Sequence, residues 1–102
     1  MQRIGRWTRL KPDAIEEYRR WHRQPWPEIT DITRQAGIRN YSIYIRGNEL
    51  FSYLEVDDWQ TAVRGLAAQP LSDEWQKLMA PFMDADEPEA PWMMLEEVFH
   101  LD

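Results

Sequence analysis

IRNYSIYIRGNELFSYLEV, residues 38–56, is a pair of β-rich runs on either side of Gly47-Asn48. In the first run Tyr41, Ile43 and Ile45 fall on one face and Ser42, Tyr44 and Arg46 on the other, the two-residue period of a strand. Gly47-Asn48 is a two-residue turn signal, so the pair is predicted to be an antiparallel hairpin. Upstream, Gly37 ends a helical piece over 28–36. Pro25 and Pro27 separate that piece from a helix over 13–24, because each removes a backbone donor and disfavours helix at the residue before it. In the earlier helix Ile15, Tyr18, Trp21 and His22 recur at spacings of three and four and form one stripe. Residues 2–10, QRIGRWTRL, are predicted to be a strand, broken by Lys11-Pro12-Asp13.

Downstream, Asp57 or Asp58 is placed to cap a helix running to about Ala68. Pro70 breaks that helix, and Ser72 caps another from Asp73 to about Met83. Residues 84–91, DADEPEAP, make an acidic loop, and 92–100, WMMLEEVFH, a last strand. The order strand, helix, strand, strand, helix, strand predicts an α+β, ferredoxin-like fold of the dimeric α+β barrel type. It is a four-stranded antiparallel sheet with helices on one face, formed as a single domain over residues 1–102. The other sheet face is left open and carries aromatic residues, which predicts a homodimer.

The composition narrows the function. The net charge of −6 and the low pI leave no basic surface for a phosphate backbone, so nucleic acid is not an expected partner. No run approaches the length of a membrane helix, and Met1–Arg6 lacks the apolar core of a signal peptide. No membrane partner and a cytoplasmic location are expected. Cysteine is absent, so disulfides and thiolate chemistry are ruled out, and any chemistry falls to His, carboxylates or Tyr.

There are two histidines, and His is the side chain suited to moving protons near neutral pH. His22 lies one helical turn after Tyr18, so both rings project towards the same place, as a catalytic pair or as a satisfied core pair. His100 stands at the chain end, where fraying or an interface role is expected. The two histidines have no ligand spacing between them, so no metal site is expected, and the acidic run 84–91 lacks the register of a calcium loop. Trp75 is either a core anchor or a platform for the C–H face of a sugar. Trp26, between two prolines, is expected at a pocket edge. Trp7, Trp59 and Trp92 are expected in the core or an interface.

Residues 12–28, PDAIEEYRRWHRQPWPE, resemble the pattern of the L-rhamnose mutarotase family: Pro-Asp-Ala, Glu-Glu-Tyr, His and Trp-Pro-Glu at the same relative spacing. The resemblance continues through Gly37, Asn40-Tyr41-Ser42-Ile43-Tyr44, Leu50-Phe51, Trp59, Trp75, Lys77, Met79 and Leu95-Glu96-Glu97-Val98-Phe99. It implies a ferredoxin-like dimer, no cofactor, a monosaccharide substrate and interconversion of its α and β anomers. It places the proton donor on His22 and substrate contacts on Tyr18, Tyr41 and Trp75. The chain departs from the family at Trp75-Gln76, where a Trp-Trp pair is common, so L-fucose or another 6-deoxy sugar stays beside L-rhamnose. Two other readings remain open on the fold: a sugar-binding subunit without activity, and a cofactor-free oxygenase-like enzyme.

Overall fold

In the computed structural model, which describes residues 1–102, the chain runs β1 (Gln2–Arg9), α1 (Ile15–Arg23), α2 (Pro27–Gln35), β2 (Arg39–Arg46), β3 (Glu49–Val56), α3 (Trp59–Ala67), α4 (Pro70–Met79) and β4 (Met93–Leu95). Short 3-10 turns at Pro12–Ala14 and Ala80–Phe82 precede α1 and follow α4. The four strands form one antiparallel sheet in the order β2-β3-β1-β4. This is the ferredoxin-like arrangement expected from the order of elements.

The hairpin turns as expected. Gly47 has φ +59° and Asn48 a negative φ, the II′ pattern whose twist suits the flanking strands. Asn48 also ties the turn to β1, since its side-chain amide donates to the Leu10 carbonyl at 2.9 Å. Gly37 closes α2 at φ +91°, with its N–H on the Arg34 carbonyl and that of Ile38 on the Thr33 carbonyl, a Schellman end. Asp58 caps α3, its carboxylate accepting from the Gln60 N–H.

All helices cover one face of the sheet. Leu10, Leu50, Tyr18, Met79 and Met83 form one buried cluster, and Ile38, Leu54, Val56 and Ala62 another. The opposite face carries Tyr44, Phe51, Met93 and Leu95 in solvent, with Tyr44 64% and Met93 60% exposed.

One feature of β2 has no counterpart in the expected strand. Arg39 pairs with Glu55 and Ser42 with Tyr53, so β2 has three steps where β3 has two. The extra residue is a bulge at Asn40, which sits at φ +50°. Ile38 and Ile43 differ in parity, and only this insertion lets both face the helices.

Two boundaries differ from expectation. Pro70 opens α4 instead of ending α3, with Gln69 at the N-cap and no capping side chain at Ser72. A first helical turn has no use for its N–H groups, so proline fits there as well as it fits a break. The last strand is three residues, not nine. Beyond Leu95 the ladder ends, and Glu97 instead binds the Arg3 guanidinium through both carboxylate oxygens, at 3.0 and 2.9 Å.

Candidate functional site

The stripe on α1 brings Tyr18 and His22 together. Their rings stack with centroids 4.1 Å apart, and the His22 Nδ1 lies 2.9 Å from the Tyr18 carbonyl oxygen. A carbonyl only accepts, so Nδ1 carries the hydrogen and Nε2 is left for the space in front of it. That space is a cavity of about 360 Å³ bordered by His22, Tyr41, Ile43, Trp75 and the α2 residues Thr30 and Thr33. Its size is in the range of small-molecule sites. A second hollow meets it at His22 and includes Tyr18.

Burial lowers the His22 pKa, and the bond to the Tyr18 carbonyl only partly offsets it. The neutral imidazole is therefore the resting form at pH 7. Burial also pushes the Tyr18 phenol well above the ordinary tyrosine range, with the Arg6 charge pulling the other way. Tyr18 as a whole is 5% exposed. Its hydroxyl makes no hydrogen bond within the chain, and no sealed side-chain polar atom lacks a partner. The hydroxyl is thus open to the hollow it borders.

Trp75 packs against the core cluster and also lines the cavity. Its ring stands in T-shaped contact with those of Trp21 and Trp26, at 6.4 and 5.1 Å between centroids, and with that of His22 at 5.7 Å. Trp26 reaches the site only by bracing Trp75. Tyr41 stands on the helix side of β2 beside Ile43 by the alternation of the strand, immediately after the bulge. The four residues singled out, Tyr18, His22, Tyr41 and Trp75, thus gather around two joined hollows. His100 is remote from them, paired with Asp102 at the chain end. No group of three or more metal-ligating side chains occurs.

Further polar residues of this region lie outside that set. Arg6 faces the helices from β1 opposite Ser52, donating from Nε to the Ser52 Oγ at 3.2 Å and from Nη2 to the Tyr41 hydroxyl at 2.8 Å. The signal for it was in the sequence: Arg6 is in phase with Ile4, Thr8 and Leu10. Thr30, Thr33 and Arg34 of α2 also border the cavity, and nothing in their spacing distinguishes them from a solvated helix face.

The family model for L-rhamnose mutarotase matches residues 3–101. The chain belongs to the L-rhamnose mutarotase family. Among curated relatives, an L-rhamnose mutarotase of Lactiplantibacillus plantarum is 38% identical over the full length of both chains. One of Oceanobacillus iheyensis is 33% identical, also over the full length of both. The crystal structure of an L-rhamnose mutarotase from Formosa agariphila superposes with a TM-score of 0.85 at 28% identity, covering all of both chains. Mutarotases of this family are isomerases, and no helix of this member is long and apolar enough to cross a membrane.

Proposed function

We propose that this chain, acting as a single domain within a cytoplasmic homodimer, interconverts the α and β anomers of L-rhamnose or a closely related 6-deoxy sugar at His22. The observation that carries the reading is the fixed tautomer: Nδ1–H is held by a backbone carbonyl, and Nε2 is free beside a sugar-sized cavity.

Opening a pyranose moves one proton. The anomeric hydroxyl loses its hydrogen as the C1–O5 bond breaks, and O5 gains one. Neutral His22 accepts the first proton at Nε2 and, now an imidazolium, returns it to O5. Rotation about the C1–C2 bond turns the other carbonyl face to O5. Attack by O5 with the proton carried back to O1 gives the second anomer, and the imidazole ends as it began. Tyr18 and Tyr41 hydrogen-bond sugar hydroxyls, and Trp75 covers the apolar C–H face and the methyl group.

The homodimer is supported by the open sheet face. Tyr44, Phe51, Met93 and Leu95 lie exposed on it, and the exposed Phe99 follows along the same side. Exposed apolar side chains grouped on one sheet face are the mark of an interface.

Proton exchange spectroscopy on L-rhamnose at its anomeric equilibrium, with wild type and His22→Ala, tests the reading. Faster exchange that disappears in the variant supports it. Binding of both anomers with unchanged exchange identifies a sugar-binding protein instead.

A further inference from the structure

Arg6 is a cation bonded to the cavity residue Tyr41 from the sheet, and the proton shuttle does not employ it. It stands in the middle of the sheet on the face that the helices cover, half-buried, between Ile4 and Thr8 in phase. A charge in such a place needs compensation. The other arginines with bonded side chains near the sheet, Arg3, Arg9 and Arg39, find it in carboxylates. Arg6 takes part in no ion pair. Its guanidinium carbon instead lies 4.7 Å from the Trp92 ring, 5.3 Å from Trp59 and 5.6 Å from Tyr41. Three aromatic faces and the buried Ser52 hydroxyl hold it.

The cage leaves Nη2 aimed at the Tyr41 oxygen. A phenol has one hydrogen and two lone pairs, while a guanidinium only donates. Arg6 therefore occupies a lone pair of Tyr41 and cannot accept the Tyr41 hydrogen. That hydrogen is free for an acceptor in the cavity, which Tyr41 borders with His22 and Trp75. The bulge at Asn40 makes the tether useful, because Tyr41 is 40% exposed and flanked by an irregular backbone.

We infer that Arg6 is a positioning residue: it locks the Tyr41 phenol in the orientation that presents its O–H as a donor to a sugar oxygen. The inference rests on the reading of Tyr41 as a sugar contact. A lysine is not equivalent, since the planar fork is what bonds Ser52 and Tyr41 at once.

A double-mutant cycle on anomer exchange of L-rhamnose tests it, with KM and kcat taken from the dependence of the exchange rate on sugar concentration. Tyr41→Phe and Arg6→Met are each expected to raise KM about fivefold, the worth of one hydrogen bond between neutral partners. The double variant is expected to be no worse than either single one. Multiplied effects, about 25-fold in the double variant, would overturn the inference while keeping Tyr41 as a sugar contact. An Arg6→Met protein with unchanged KM would overturn it too. If Tyr41→Phe itself leaves KM unchanged, Tyr41 is no sugar contact, and both readings of it fail together. Should Arg6→Met not fold, Arg6→Lys keeps a cation on the aromatic cage. Its smaller rise in KM is expected to vanish on the Tyr41→Phe background, and its persistence there would count against the tether.

Discussion

Replacing Tyr18 by Phe separates a residue that binds sugar from one that merely fills the core. The substitution deletes one oxygen from a residue that is 5% exposed and whose ring stacks on His22 at 4.1 Å. No hydrogen bond within the chain uses that oxygen, and the Tyr18 carbonyl that orients His22 belongs to the backbone and is untouched. Folding therefore loses no partner, and the stability change is expected within about 0.5 kcal/mol. For a domain of this size that corresponds to a shift in Tm below about 4 °C. Exchange is a different matter. If the hydroxyl donates to or accepts from the sugar, losing one such bond removes about 0.5–1.5 kcal/mol, a fall of about 2- to 13-fold in kcat/KM. Thermal unfolding and NMR anomer exchange on the same sample give both numbers. Unchanged exchange would refute the sugar contact, and a large drop in Tm would refute the claim that the hydroxyl is unpartnered. Tyr18→Ala is the contrast: it removes the stacked ring and leaves a cavity, with an expected loss of about 3–5 kcal/mol.

His22→Gln is expected to fold with a near-native circular dichroism spectrum and to lose most of its rate enhancement, measured by the same exchange experiment. The pKa of His22 is lowered in the folded state, so between about pH 6.5 and that lower value the unfolded chain holds the extra proton. Stability from this group is thus complete above that window and is lost as the pH falls through it. The difference in denaturant midpoint between wild type and His22→Gln should move with pH only there. Catalysis that starts with neutral imidazole gives a rate that rises through the same region and is flat at neutral pH. Phe51→Lys, placed on the open face away from His22, is expected to shift the sedimentation coefficient to that of a monomer.

Much of the site was legible because helix and strand periods are rigid. A spacing of four put Tyr18 and His22 in one stripe, and alternation put Tyr41, Ile43 and Ile45 on one face, as the fold has them. Trp75 stayed ambiguous for a physical reason: an indole braced by Trp21 and Trp26 is a core residue on one side and a cavity wall on the other. The start of α4 was missed because proline is equally at home in a break and in a first turn. The sequence overstates the last strand because LEEVF has β-forming residues whatever its backbone does; the bonds from Arg3 to Glu97 replace the ladder. Arg6 was missed because a strand of mixed charge reads as solvated until its phase is fixed by a partner.

The bulge at Asn40 also makes the chain unequally tolerant of changes in length. Deleting that residue leaves Tyr41, Ile43 and Ile45 in step with β3, and throws Ile38, at the end of α2, to the wrong side of the sheet. Adding a residue between Tyr41 and Ile43 would do the reverse and expel Tyr41 from the cavity. Insertions within 84–91, a solvated loop apart from β2, disturb no such parity. Natural or engineered variation in chain length should therefore collect in that loop and spare the stretch from Gly37 to Ile43, where one residue sets which side of the sheet each side chain faces.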